Sequence, residues 1–429
     1  MSSTAAEQAL DELSSQIEDV PLRVGTPPET VSVILRRFKD HPAHPDGAAP
    51  SSHCAVLLVH GGNTSSETFL VPDGGVATYL RREGWDVWLL DDRASPRVLD
   101  DGILLGQPLG GSVEAERRYF NFDRIAEEDV VGAIAEIRRQ LGPRATLSVV
   151  GHCVGGAAAS MAIARGRLEK FGVHAFVLTT MGLFFESPWD GWLKAEDYVI
   201  ERLLSRSRDC RGIDPVQLRT KPLEASRKKP HAWPPAFVEA YSSFPSQWLP
   251  EPSSVPEDDM LRRLSFMFGN PYETAQLDPS LRGSILCRLF GTMHLGLYLH
   301  AGQVVRRGYA ARFDAPDIVE RPRLDAPPRA HHARRTAPRG PKPSHPPEGD
   351  LLPAHFRDKR ITLITGAQNR LWHRESIDLM YEWLMNIGDR PAGAHVKKRI
   401  FPGFAHQDLY WRRESGDDDV YAAILAGLG

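Results

Sequence analysis

Leu147-Ser148-Val149-Val150-Gly151-His152-Cys153-Val154-Gly155-Gly156, running on through Ala157 to Ala164, decides how this chain is read. A short apolar run ends at Val150, a Gly-x-Cys-x-Gly turn follows, and an alanine-rich segment of helical character comes next. Strand, tight turn and helix in that order are the setting of a nucleophile elbow, in which a sharp turn holds one reactive side chain above the end of a sheet. Such a turn leaves no room for side chains beside the reactive one, which is why glycine flanks it. The reactive position is Cys153, and Gly151, His152 and Gly155 complete the turn. With 36 Gly and 4 Cys in 429 residues, the pattern is expected by chance only ~0.03 times. The competing reading is a structural cysteine behind a core strand, since free Cys is among the most buried residue types.

Upstream, Ala55-Val56-Leu57-Leu58-Val59 is a continuous apolar run, as expected of a strand buried on both faces of a parallel sheet. It runs into His60-Gly61-Gly62-Asn63. In hydrolases built this way, a backbone N–H just after such a His-Gly pair forms an oxyanion hole with the N–H that follows the nucleophile. That nominates Gly62 and Val154; the plainer reading is an ordinary strand-ending turn. Val76 to Glu83 reads as helix closed by Gly84, Trp85 to Leu90 as strand, and Phe122 to Gln140 as a long amphipathic helix stopped by Gly142-Pro143. Val173 to Leu178 is the strand after the elbow. Strands alternating with helices predict an α/β fold with a mostly parallel, doubly wound sheet. Before this core, Val31 to Phe38 reads as an edge strand. Residues 1–22 read as an N-terminal amphipathic helix, with Leu10, Leu13, Ile17 and Val20 at helical spacing and Thr4 and Glu7 as a capping box.

Downstream, the alternation stops at Gly182. Residues 183–357 carry Phe184, Phe185, Trp189, Trp192, Trp233, Phe237, Trp248, Phe266, Met267, Phe268, Met293 and Tyr298 without strand–helix pairs. An insertion here, on the side where the elbow opens, predicts a large helical cap whose aromatics form a small core of their own and partly face the cleft. Within it, 321–349 is rich in Pro, Arg, Ala and His and is expected to be disordered. Its His331, His332 and His345 lack the companions that a metal site needs. The core pattern resumes with Ile361 to Thr365, a helix from Glu375, the strand Val396 to Phe401 and a closing helix, Val420 to Leu428. The hydrolase-like core is therefore expected over 31–182 and 358–429.

A thiol at an elbow needs a base. His406 lies in Gly403-Phe404-Ala405-His406-Gln407-Asp408 after the last strand, where this architecture delivers its histidine. His152 and His60 are rivals, the first expected to point away from Cys153 and the second to be structural. The loop after the penultimate strand should supply an Asp or Glu, and this chain has Asn369. For a serine nucleophile that change is severe, about 10⁴ in kcat through the wrong tautomer. A cysteine can pass its proton to the imidazole before substrate arrives, so the third residue only has to orient the ring, and a Cys-His-Asn set is chemically coherent. Glu186, Glu375, Asp378 and Asp408 are alternative orienters.

A net charge of −3, 41% hydrophobic and 25% charged residues describe a globular chain with no basic patch calling for nucleic acid. No apolar run approaches the ~20 residues of a membrane span. The polar, acidic N-terminus is not a secretory signal. Cys54, Cys153, Cys210 and Cys287 are far apart with no CxxC pair, which predicts neither a zinc site nor a disulfide framework, and a cytoplasmic location. It also leaves a redox-sensing thiol without a resolving neighbour. No cofactor and no metal are expected.

These motifs resemble the α/β-hydrolase fold. More narrowly they resemble the lipase-like hydrolase domains associated with GMC (cholesterol-oxidase-like) oxidoreductases. The resemblance rests on the elbow His152-Cys153-Val154-Gly155, a segment like Phe266-Met267-Phe268-Gly269, the Gly366 to Asn369 loop and the Gly403 to Asp408 ending. It implies the fold and no particular reaction. At Gly151 to Gly156 the chain is also similar to dienelactone hydrolases and polyhydroxyalkanoate synthases. They imply a Cys-His-Asp triad, from which this chain departs at Asn369. The expected function is a Cys-dependent acyl hydrolase or acyltransferase. It would act on an ester or thioester of a lipophilic acyl group, free or carrier-bound, through a thioester acyl-enzyme. The alternative is a catalytically weak binding protein of the same fold, a partner of an oxidoreductase.

Overall fold

The computed structural model describes residues 5–27, 29–39, 54–62, 64–99, 121–188, 191, 195, 271–273, 276–281, 284–290, 295–313, 352–388, 390, 391, 394–411 and 420–429. Eight strands form one sheet: β1 (Ile17–Thr26), β2 (Glu29–Phe38), β3 (Cys54–Val59), β4 (Asp86–Asp91), β5 (Thr146–His152), β6 (Val173–Thr179), β7 (Arg360–Gly366) and β8 (Val396–Phe401). Their spatial order is β1-β2-β4-β3-β5-β6-β7-β8. β2 is antiparallel to both of its neighbours, and every pairing from β4 to β8 is parallel. This is the α/β-hydrolase fold. From β3 the chain moves out to β4 and then returns across β3 to β5. The crevice beyond the carboxyl ends of β3 and β5 is therefore the topological switch point, where such sheets bind ligands. The His60-Gly61-Gly62 turn and the Cys153 elbow both open there.

β3 is apolar without interruption because both of its faces are covered, whereas β8 at the edge carries Lys397, Lys398 and Arg399. Side chains alternate between faces. Ala55, Leu57 and Val59 pack on one side with helices α3 (Val131–Leu141), α4 (Val154–Ala164) and α6 (Glu375–Met385). Val56 and Leu58 pack on the other with α1 (Ala5–Ser15), α2 (Gly75–Arg82) and α7 (Val420–Leu428). Every residue of α4 is buried, so this helix has no solvent face and its alanines allow close approach from all sides. α5 (Leu295–Arg307), from the insertion between β6 and β7, puts Leu297 and Val304 into the first of these clusters.

Four expectations change. The N-terminal helix ends at Ser15, and Ile17 to Thr26 is β1. Pairing with β2 over its whole length overrides a spacing that also fits a helix. β2 is consequently an inner strand, and the edge is β1, where Pro21 is tolerated. The helix expected from Phe122 has a π turn at Ile125–Val130 ahead of α3. The extra residue in that turn goes with a buried Asp129 that meets Arg93. Phe184 and Phe185 belong to the main core cluster and not to a separate cap core. Trp189, Trp192, Trp233, Phe237, Trp248, Phe266, Met267, Phe268, Met293, the Arg/Pro/His stretch 321–349 and Thr4 of the capping box lie outside the described residues, as does the side chain of Tyr298.

Candidate active site

The elbow is built by close packing. A Cβ at Gly155 would stand 2.3 Å from the Val59 carbonyl oxygen and 2.6 Å from that of His60; one at Gly151 would stand 2.7 Å from the Gly155 oxygen. These neighbours are backbone and cannot rotate away. Gly155→Ala is expected to lower stability by ~1–3 kcal/mol, as overpacking does, read as a fall in the urea midpoint. An unchanged midpoint would mean that β3 and α4 are not in this contact.

Between the two glycines, Cys153 has φ 53° and ψ −119°, a conformation that L side chains rarely adopt. Its N–H donates to the Thr179 carbonyl at 3.0 Å, and it caps the start of α4. The backbone N–H groups of Gly62 and Val154 and the side chain of Trp372 pull its thiol down. Gly61 packs closely on the elbow, since a Cβ there would lie 3.0 Å from Cys153 Cβ. Burial nevertheless pushes the Cys153 thiol up to about 11, against the pull of these donors.

His406 lies in the loop after β8. Asp408 shapes that loop, with Oδ2 accepting the N–H of Ala405 at 3.0 Å and of Glu273 at 3.2 Å. The loops after β7 and β8 touch at Gly366, where a Cβ would meet the Phe404 oxygen at 2.1 Å. This contact brings Asn369 to the histidine. Asn369 Oδ1 accepts from the N–H of Leu371 (3.1 Å), the N–H of Trp372 (3.2 Å) and His406 Nδ1–H (3.2 Å). Three donors on one atom identify it as the amide oxygen and fix the proton of His406 on Nδ1. His406 Nε2 is then the basic lone pair. It is buried and has no hydrogen-bond partner among the described residues. Burial, with His152 adding to it, holds His406 well below the usual imidazole range. Burial disfavours charge on both groups, which opposes the proton exchange expected before substrate. The physical reason is desolvation: Cys153 is 8% exposed and His406 1%, and neither charge would be solvated.

The rivals are accounted for. His152 has both ring nitrogens engaged, with Thr179 Oγ1 at 2.9 Å and Gln407 Oε1 at 3.1 Å. His60 Nδ1–H donates to the Gly61 carbonyl at 2.7 Å, and its Nε2 faces Asp92 at 3.7 Å. Asp378 is bound to Lys398, Glu375 is exposed at the start of α6, and Glu186 holds Ser376 and His373 through its backbone. Trp372 and Gln407 were not singled out in the sequence. Each lies one to three residues from a candidate site residue, which is the only signal that pointed to them. Among the described residues no group of three or more His, Cys, Asp and Glu is placed to hold a metal ion. No helix there is long and apolar enough to cross a membrane.

A sheet of this order with a cysteine elbow at its switch point defines an α/β-hydrolase-fold site. No protein-family model matches the sequence, and no curated protein matches it. Solved structures of similar shape include a thermostable carboxyl esterase from Bacillus coagulans at 12% identity and TM-score 0.47, covering 96% of this chain and 99% of that one. A thermophilic esterase from Thermogutta terrifontis follows at 14% and 0.45, covering 95% and 97%. A peroxisomal α/β-hydrolase from Saccharomyces cerevisiae is similar at 14% and 0.43, covering 96% and 86%. At such identities and scores these likenesses bear on neither substrate nor chemistry.

Proposed function

We propose that this chain is an acyl-transfer enzyme with Cys153 as nucleophile, acting on an ester or thioester of a lipophilic acyl group. The observation that carries this reading is the hydrogen bond from His406 Nδ1–H to Asn369 Oδ1, which leaves a bare, buried Nε2 free to act as base. As the sulfur attacks the carbonyl carbon, His406 Nε2 takes its proton, and the N–H groups of Gly62 and Val154 receive the negative oxygen. The carbon–oxygen or carbon–sulfur bond to the leaving group then breaks, and His406 returns the proton to that group. Water, or another hydroxyl, thiol or amine, repeats the sequence in reverse on the thioester. We assign the acyl chain to the insertion between β6 and β7, residues 183–357, much of which lies outside the described residues. Substrates tethered to a carrier are included.

With burial disfavouring charge on both partners, proton transfer accompanies attack, and kcat/KM depends on neutral His406. With the imidazole held low, the rate is expected to stay level as pH falls through 6. Asn369→Asp places a carboxylate on Nδ1–H and stabilises the imidazolium, so the acid limb moves to higher pH. A pH profile of kcat/KM checks this; an unmoved acid limb would remove Asn369 from its role.

The test of the reading is intact mass after incubation with a panel of acyl thioesters and activated esters, with Cys153→Ala and His406→Ala alongside. A gain equal to the acyl group, absent in Cys153→Ala, is expected. One observation favours a second reading, a binding protein of this fold: the thiol is pushed up to about 11 and buried. No adduct from any donor, with slow alkylation of Cys153 near neutral pH, would establish that reading instead.

A further inference from the structure

His152 is a fully buried titratable side chain that the proposed chemistry leaves idle. Its ring lies where several loops of the site meet. On its own strand it precedes Cys153. Toward the β3 turn, its Cδ2 would be 3.4 Å from a Cβ at Gly61. Toward the β8 loop, its Nε2 meets Gln407 Oε1 at 3.1 Å and its ring centroid is 5.0 Å from that of His406. Beneath, Nδ1 meets Thr179 Oγ1 at 2.9 Å, and Thr179 Oγ1 meets Tyr410 Oη at 3.0 Å. The Tyr410 ring also stands edge-on to the imidazole at 4.9 Å.

The donors follow from the acceptors. An amide oxygen cannot donate, so His152 Nε2 carries the proton and gives it to Gln407. Nδ1 then accepts from the Thr179 hydroxyl, and the Thr179 oxygen accepts from Tyr410. Thr179 ties the same chain to the nucleophile, because its carbonyl accepts the Cys153 N–H at 3.0 Å. Burial pushes His152 down to about 3, which keeps this polarity of donors fixed at neutral pH.

We propose that His152 is a positioning residue: bonded to Gln407 and Thr179, it sets the His406 loop against the Cys153 elbow. The imidazole is a rigid strut. Gln407 is the residue next to His406, so a bond at one fixes the ring of the other. This rests on the acyl-transfer reading for its kinetic consequence but not for its structural one.

The test uses the full chain and four variants: His152→Phe, Gln407→Leu, Thr179→Val and Thr179→Ser. Single-turnover acylation by an activated ester reads the chemical step. His152→Phe and Gln407→Leu are each expected to slow it ~10–100-fold with KM changed less than about twofold, the effect of a small misplacement of reacting groups. The two together are expected to be no slower than the worse of them, since they break one bond. Thr179→Val is expected to fall into the same range, and Thr179→Ser, which keeps the hydroxyl, to retain wild-type rates. Additive losses, or unchanged rates in Gln407→Leu, would overturn the proposal. A second readout needs no substrate. In ¹H–¹⁵N spectra of the histidine rings, Gln407→Leu is expected to shift or broaden the His406 signals, and unmoved His406 signals would overturn the strut. If wild type accepts no acyl group from any donor, the proposed function fails while the spectra still decide this inference. Where His152→Phe does not fold, Gln407→Leu and Thr179→Val keep it decidable.

Discussion

Cys153→Ala is expected to lose the acyl adduct altogether and to lower kcat/KM on the order of 10⁴-fold or more, as removal of a nucleophile from a concerted triad does. The elbow is formed by backbone and glycines, so the alanine variant should fold and melt as the wild type does. Cys153→Ser is the sharper comparison. A hydroxyl holds its proton far more tightly than a thiol and depends on a carboxylate behind the imidazole, whereas this site offers the neutral amide of Asn369. The serine variant is expected to be slower by about 10⁴, the loss seen when a serine triad has amide in place of acid. Adding Asn369→Asp to Cys153→Ser should recover part of that loss. Steady-state hydrolysis of an activated ester reads all of these variants. A Cys153→Ala enzyme with wild-type turnover would dismiss the thiol as nucleophile.

Arg93→Met is expected to cost about 3–5 kcal/mol, the penalty for stranding one member of a buried ion pair. Arg93 is 4% exposed and Asp129 0%. Arg93 Nε and Nη2 donate to Asp129 at 3.0 and 2.7 Å, Nη2 reaches Glu128 at 2.6 Å, and the Arg93 backbone N–H donates to Asp129 at 3.0 Å. Burial pushes Asp129 up even with the guanidinium beside it. The double variant Arg93→Met/Asp129→Leu should regain most of the stability, since no charge is left without its partner. The urea midpoints of the two variants check this. A loss under about 1 kcal/mol in Arg93→Met would mean that Asp129 takes up a proton at little cost.

The middle of the sheet was readable because its strands obey one rule: a face-to-face buried strand is apolar throughout, and a helix follows. β3 meets it, and β5 and β7 come close, with Ser148 and Thr362 as polar interruptions. The elbow was readable because backbone contact excludes every residue but glycine at 151 and 155. β1 was not, because Leu10, Leu13, Ile17 and Val20 continue a helical spacing across Gln16, and the pairing with β2 that decides the matter is a tertiary fact. Asn369 and His406 could be nominated from their places after β7 and β8. The hydrogen bond between them depends on the close approach at Gly366, which spacing along the chain does not encode. The proton balance between Cys153 and His406 is hidden from the sequence for a related reason. Desolvation is set by how much is packed around a group, and neighbours far apart in sequence do the packing.

The insertion that separates β6 from β7 also sets a timetable for synthesis. β6 ends at Thr179 and its partner β7 begins at Arg360. At ~5–20 residues per second a ribosome needs roughly 10–40 s to deliver that partner. During the wait, Val173 to Thr179 is an apolar strand with one side of its hydrogen-bonding ladder unfilled, the kind of edge on which nascent chains aggregate. Cells making this protein should therefore depend on a holding chaperone through that interval, and rare codons placed between 180 and 359 should lower the soluble yield more than the same codons placed after 401.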